Sequence, residues 1–228
     1  MSLFSIADLH LSLNPKTNKA MDVFPGWIDY VDKIKLNWSK IVKPTDTVVV
    51  AGDISWAMDL NEAYEDFNFL DSLPGEKLIL KGNHDYWWNT MKKMQDFLNE
   101  NDFKSIKILH NNSYFSQGKF ICGTRGWFYD NPEDKKVLNR EICRLKASID
   151  SIFDKEKEPI VFIHYPPIYG NYYCDEIMEV LINYGIKKCY YGHIHGESSQ
   201  NALIGTYYGI EFRLISADFI NFTPYLVI

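Results

Sequence analysis

The stretch Leu78-Ile79-Leu80-Lys81-Gly82-Asn83-His84-Asp85 constrains this chain more than any other. An apolar run of strand length stops near a glycine, then delivers an amide, an imidazole and a carboxylate in succession. In open α/β sheets, ligands bind in the crevice outside the carboxyl ends of the strands, so this layout builds sites. A single instance would be read as a turn or a helix cap. The chain repeats it. Residues 3–7 run into Asp8-Leu9-His10, and residues 47–51 (Thr-Val-Val-Val-Ala) run into Gly52-Asp53. Residues 160–163 run into His164, and residues 188–191 into Gly192-His193-Ile194-His195.

Apolar residues at helical spacing separate the first of these strands. Trp27, Val31, Ile34, Trp38 and Ile41 form one set, Ala63, Phe67 and Leu70 a second, and Trp87, Met91, Met94 and Leu98 a third. The order βαβαβα implies a parallel sheet with crossover helices. Short strands follow at residues 106–109, 114–116 and 120–122, the last two joined as a hairpin by Gln117-Gly118-Lys119. Leu138, Ile142, Leu145, Ile149 and Ile152 mark the longest amphipathic helix, and Ile177, Val180, Leu181 and Tyr184 a short one. The β-prone runs after Tyr207 predict an antiparallel meander. No repeat or linker interrupts the 228 residues, so a single domain over 1–228 is expected.

The net charge of -6 argues against a broad basic surface, and nucleic acid is not an expected partner. Cys122, Cys143, Cys174 and Cys189 form no Cys-x-x-Cys pair and lie among apolar neighbours. Reduced thiols and a cytoplasmic location are expected. No secretory leader is expected, and no apolar run approaches ~18 residues, so no membrane partner is expected either.

Asp8, His10, Asp53, Asn83, His84, His164, His193 and His195 all land just after strands, and they include five of the chain's 6 histidines. A lone histidine beside a strand is usually a satisfied packing residue; packing alone does not explain five. On an extended segment the residues of Asp-x-His or His-x-His point the same way, so each pair should reach one site. Oxygen ligands mixed with imidazole, without thiolate, suit Mn, Fe, Zn or Co. Eight donors suit two such ions if one carboxylate bridges. Two ions ~3.5–4 Å apart generate a hydroxide nucleophile and clamp both oxygens of an in-line displacement. Their residual positive charge suits a phosphate ester.

At these residues the chain resembles the calcineurin-like metallophosphoesterases, whose ordered pattern is Asp-x-His, Gly-Asp, Gly-Asn-His-Asp/Glu, His and Gly-His-x-His. Here these are Asp8-Leu9-His10, Gly52-Asp53, Gly82-Asn83-His84-Asp85, His164 and Gly192-His193-Ile194-His195, spanning residues 8–195. The resemblance implies an α/β fold, a four-layer αββα sandwich with mixed sheets and a dimetal site between the sheet edges. It also implies that Asp8, His10, Asp53 and His195 hold one metal, and that Asp53 (bridging), Asn83, His164 and His193 hold the other. His84 would then stand over the substrate, stabilising phosphoryl oxygens or protonating the leaving group, a role for a histidine titrating near neutrality.

Many phosphatases of this family continue Gly-Asp-x-x-Asp, and the second Asp orients the catalytic histidine. Here that place is Trp56, which leaves Asp85 or Asp59 as candidates to orient His84. Aromatics crowd the expected rim: Trp56, Tyr86, Trp88, Trp127, Phe128, Tyr129, Tyr165, Tyr169, Tyr172 and Tyr173. Arg125, between Gly123 and Gly126, is the candidate phosphate contact. The expected activity is hydrolysis of small phosphate esters, mono- or diester, by a metal-bridging hydroxide. The aromatic segments 123–130 and 165–173 would form narrow walls. Two other readings are a non-catalytic metal-binding scaffold and a nuclease of the same fold. The complete ligand set speaks against the first and the acidic balance against the second.

Overall fold

The computed structural model describes residues 1–17, 19–128 and 134–228; Tyr129 and the end of the 123–130 segment lie outside the described residues. β1 (Leu3–Ile6), α1 (Tyr30–Ile41), β2 (Thr47–Ala51), α2 (Tyr64–Ser72), β3 (Glu76–Leu80), α3 (Met91–Glu100) and β4 (Ile106–Ile108) form the first half. The four strands are parallel neighbours in sequence order. The second half contains β5 (Tyr114–Ser116), β6 (Lys119–Thr124), α4 (Lys135–Asp150), β7 (Pro159–Ile163), β8 (Ile168–Tyr169), β9 (Tyr172–Tyr173), α5 (Asp175–Asn183), β10 (Lys188–Tyr191), β11 (Gly205–Tyr207), β12 (Ile210–Leu214) and β13 (Tyr225–Leu226). Its sheet runs β11-β12-β10-β7-β6-β5, while β8 and β9 pair with each other.

Alternation along each strand builds the layers. In β2, Val48 and Val50 face a cluster with Ile34 and Trp38 of α1, Phe67 of α2 and Met94 of α3, while Val49 and Ala51 face the other way. In β7, Val161 and Ile163 face Leu138 and Leu145 of α4 and Leu181 of α5. Ile160 and Phe162 turn to the opposite side. Leu3, Val49, Leu78, Leu80, Ile121, Phe162, Tyr190 and Ile215 therefore share one middle layer between the sheets. Each fully buried aliphatic there contributes ~1.5–3 kcal/mol. The result is the αββα sandwich with mixed sheets.

Three local expectations change. Trp27 and Trp87 belong to no helix: α1 begins at Tyr30, and α3 begins at Met91 after Thr90, whose side chain accepts from Lys93 N at 3.4 Å. Both rings are buried in the first core from the loops before their helices, so burial alone produced their helical spacing. The C-terminal strands are not a meander. β11 and β12 pair antiparallel, but β12 then lies parallel to β10, and β13 crosses to pair antiparallel with β1. Periodicity marks a strand without naming its partner; here the partner follows from burying Ile210, Phe212 and Leu214 beside β10. The β5–β6 hairpin turns on Gln117 and Gly118 alone, both at positive φ (53° and 76°), the backbone that a two-residue turn needs. No described helix is long and apolar enough to cross a membrane.

Candidate metal centre

The carboxyl ends of β1, β2, β3, β7 and β10 open on one edge of the sandwich, and the segments after them carry the expected ligands. Their backbone is not extended. Asp8, His10, Asp53 and His193 have φ of 61°, 45°, 50° and 73°, a left-handed conformation that costs ~1–3 kcal/mol per non-glycine residue. The shared direction of Asp8 and His10 thus comes from curled backbone rather than strand geometry. Leu9 and Leu11 anchor that curl in the first core, and the Tyr30 hydroxyl donates to His10 O at 2.8 Å. Asp8 N and His10 N donate to Gly52 O and Asp53 O, both at 2.9 Å, tying the first two ligand segments together.

Two groups of donors converge: Asp8, His10 and His195, and Asp53, His164 and His193, the ligand atoms within each group lying within 4.8 Å of one another. Asn83 joins the second, its Oδ1 2.8 Å from His164 Nε2, which is also 3.4 Å from Asp53 Oδ2. Asp53 lies between the groups, since its Oδ2 is also 3.8 Å from His10 Nε2. His193 and His195, one residue apart, serve different groups. All seven expected ligands therefore meet in one place.

Close approach of the ligand segments, within the first sheet and across to the second, is what permits this. A Cβ on Gly82 would fall 2.1 Å from Asp53 Oδ1, and one on Gly192 would fall 2.5 Å from Asp8 Oδ2. No other residue type fits either place without displacing a ligand. Asp8 is held by His193 N at 2.9 Å, and Asp53 Oδ1 accepts from His84 N at 2.7 Å.

The electrostatics suit a cation. Burial opposes ionisation of Asp8 and Asp53, yet the neighbouring His195 and His164 charges prevail and hold both carboxyls below the usual range. Burial likewise opposes protonation of His164, but the charge and hydrogen bond of Asp53 outweigh it and lift the imidazole to about 9. For His195 burial is outweighed by the Asp8 charge and the Asp218 hydrogen bond, giving about 10. His10 is driven down to about 4 by burial, and His193 to about 3 by burial and the His164 charge. Two carboxylates are thus balanced by two imidazolium protons, in places where a divalent ion would supply the charge instead. His10 Nε2 and His195 Nε2 face each other at 3.3 Å, and His195 Nε2 lies 3.4 Å from Asp8 Oδ1. Buried lone pairs converging so closely repel unless a proton or cation lies among them. This mixed oxygen and nitrogen set fits divalent first-row metals.

His84 sits above the groups. Its ring centroid is 4.3 Å from that of Trp56, which also stacks on His10 at 4.8 Å, and its Nδ1 faces the Tyr86 hydroxyl at 3.3 Å. Nε2 has no hydrogen-bond partner among the described residues. Burial, the largest influence, lowers its pKa from the ordinary histidine value. Neither candidate carboxylate orients this ring. Asp85 is fully buried and accepts from five N–H groups, those of Asp53, Ile54, Ser55, Gly82 and the Trp87 indole, at 2.7–3.3 Å. It braces the loops that present Asp53 and Asn83. Burial and the Asp53 charge push its carboxyl up to about 6 against those donors. Asp59 accepts from Asn61 N and Glu62 N in the turn before α2. Trp56, in the place of the missing Asp, makes the ring contact instead.

Arg125 does not point at the donors. Its Nη2 donates to Glu141 Oε1 at 3.1 Å and its guanidinium lies 4.5 Å over the Trp127 ring. One functional residue escaped sequence reading. Asp218 accepts from His195 Nδ1 at 2.9 Å and from Gly196 N at 2.8 Å, presenting His195 Nε2 to the centre. Its signal was the same layout of strand then polar residue, at the end of β12, where Ala7 and Ser216 bridge the two sheets.

Comparison with known proteins agrees with this geometry. No curated protein sequence matches significantly. Among solved structures, a protein of unknown function from Aquifex aeolicus, AQ665, is similar at 19% identity and TM-score 0.53, over 99% of this chain and 95% of that one. A phosphopantetheinyl hydrolase from Mycobacterium tuberculosis is similar at 14% identity and TM-score 0.54, over 94% and 88%. TT1561 of Thermus thermophilus is similar at 14% identity and TM-score 0.53, over 85% and 81%. At such identities these three show a shared fold. A sequence profile of the calcineurin-like phosphoesterases matches residues 1–197, most of the chain and every ligand segment, and the chain belongs to that family of metal-dependent phosphoester hydrolases.

Proposed function

We propose that the protein hydrolyses small phosphate esters at a two-metal centre held by Asp8, His10, Asp53, Asn83, His164, His193 and His195. The observation that carries this reading is the convergence of two complete Asp/His groups on either side of Asp53. Divalent ions, when bound, would polarise the phosphoryl oxygens and acidify an attacking water. His84 Nε2 would donate its proton to a phosphoryl or leaving-group oxygen, with the Trp56 ring and the Tyr86 hydroxyl setting its orientation.

Substrate size follows from the walls. The Tyr165 ring lies 4.2 Å from His193, and Phe128 packs on Tyr165, Tyr172 and His193 at 5.1, 4.8 and 5.4 Å. The segments carrying Phe128 and Tyr165 thus close together over the second donor group. On the other side, Met21, Phe24, Pro25, Trp27, His195 and Gly196 line a largely apolar cavity of about 440 Å³, suited to the organic part of an ester. Such walls admit a small molecule and exclude a folded phosphoprotein. With Arg125 paired to Glu141, the chain cation beside His84 is Lys19, whose ammonium lies 5.1 Å over the Trp56 ring, a thin provision that favours a diester slightly over a monoester. All four cysteines are free and three are buried, which supports a reducing, cytoplasmic setting.

The test is kcat/KM for an aryl monoester, an aryl diester, a cyclic nucleotide and a phosphopeptide with added Mn²⁺. Turnover of the small esters and little of the phosphopeptide is expected. Efficient phosphopeptide hydrolysis would sink the narrow site, and bound metal with no turnover of any ester would make the protein a scaffold.

A further inference from the structure

Beside the metal centre, at the carboxyl ends of β3, β4 and β6, lies a second cavity of about 410 Å³. Lys81, the residue after β3, is on its wall with His110, Arg125 and Arg144. Arg144 Nη1 and Arg125 Nη2 both donate to the same oxygen of Glu141, at 2.5 and 3.1 Å, and the other Glu141 oxygen is taken by the Thr124 hydroxyl at 2.6 Å. One carboxylate thus answers two guanidiniums. Lys81 has no hydrogen bond or ion pair among the described residues, and Arg125 Nε is buried without a partner. Three basic side chains therefore share this wall with two carboxylates, Glu141 on the wall itself and the buried Asp85, whose charge also reaches Lys81, in a chain whose net charge is -6. Trp88 supplies an aromatic wall, its ring 6.0 Å from that of His110, and Asn89, Thr90 and Met91 bring the start of α3 to the same cavity. The unpaired Lys81 ammonium and the buried, unpartnered Arg125 Nε are unfavourable there unless an anion shares them, and Arg144, its side chain 37% exposed and paired to Glu141, borders the same space.

We propose that this cavity is an anion site for a phosphate group, separate from the metal centre and held by Lys81, Arg125 and Arg144. The site does not depend on the hydrolytic reading for its existence. It is nonetheless close enough to serve that reading. Lys81 stands two residues before Asn83, and Arg125 O accepts from His164 N at 3.1 Å and Tyr165 N at 2.8 Å. In the first sheet the ligand segments centre on β2 and the cavity lies between β3 and β4, one to two strand spacings or roughly 5–10 Å along the edge. A second phosphate on a substrate whose ester lies at the metals could occupy it, as could free phosphate.

Calorimetric titration of inorganic phosphate and of pyrophosphate into the full-length chain, metal-loaded and after chelation, tests the site. One phosphate-binding event should survive chelation, and both Lys81→Met and Arg144→Gln should weaken it about tenfold or more. Lys81 makes no hydrogen bond to lose, and the glutamine amide can still donate to Glu141, so both variants should fold. Phosphate binding that vanishes with the metal, or that neither substitution weakens, overturns the proposal. The source of the anion is read from the ratio of kcat/KM for a bisphosphorylated over a singly phosphorylated ester. That ratio falls at least tenfold in Lys81→Met if the second phosphate belongs to the substrate, and stays constant if the ligand is free phosphate. Hydrolysis without a chelator-resistant phosphate site would remove this inference alone. A chelator-resistant site without hydrolysis of any ester would remove the proposed activity alone.

Discussion

In the metal centre the donors are short side chains, Asp, Asn and His, each placed by the backbone just after a strand. In the neighbouring cavity the charges sit on the long stems of Lys81, Arg125 and Arg144, and Arg144 comes from the body of α4 rather than from a strand end. A short side chain reaches its target only if its own backbone comes close, which is why the metal centre carries left-handed ligands and glycines with no room for a Cβ. A long side chain reaches the same edge from many backbone positions and needs neither. Charge differs in the same way. The metal centre is buried carboxylate and imidazole awaiting cations, and the cavity is cation awaiting an anion.

The sharpest way to break this contrast is Asp53→Asn. It should deplete both ions, measured by elemental analysis, and lower turnover beyond the ~10²–10⁴-fold typical of losing one general acid or base, while phosphate still binds the cavity. Retention of both ions with full turnover would show that Asp53 does not join the two groups. Next in size, His84→Ala should keep its metal and lose ~10²–10⁴-fold in turnover. Parent-like activity would remove His84 from the chemistry.

Asp218→Asn should weaken metal binding ~10–100-fold, the usual scale for a partner that orients a ligating histidine, with turnover recovering as metal is raised. An unchanged metal affinity would reduce the Asp218–His195 contact to packing. The smallest effect is on pH. Without metal, His164 and His195 titrate at about 9 and about 10, above the ordinary value of 6.5. Their stabilisation is fully present below about pH 6.5 and is lost as pH rises through 9 to 10. The chelated protein should therefore lose thermal stability over that window, each kcal/mol lowering Tm by ~2–4 °C. The metal-loaded protein should show a flatter profile, and its metal affinity should fall toward acid pH as protons compete for the imidazoles. Identical profiles with and without metal would mean that those histidines do not hold it.

What the sequence determined by itself was local. Strand-length apolar runs, each followed by Gly, Asp, Asn or His, located the seven candidate ligands that the fold brings together, because short side chains tie the chemistry to their own stretch of backbone. The same locality made the bodies of the core helices and the existence of the β5–β6 hairpin legible, though not the starts of α1 and α3 or the exact turn residues. Pairing and reach belonged to the tertiary structure. The crossing of β13 to β1 depends on which apolar faces are left to cover, and no periodicity records that. Asp85, a candidate to orient His84, instead braces the loops, because a buried carboxylate goes where N–H groups cluster, and those come from two separate loops; the Trp56 ring is left to contact His84. Arg125 turned to Glu141, and Lys81 and Arg144 met beside it, from residues 81, 125, 141 and 144. Long side chains leave no fixed spacing in sequence, so only the folded chain brings those charges to one cavity.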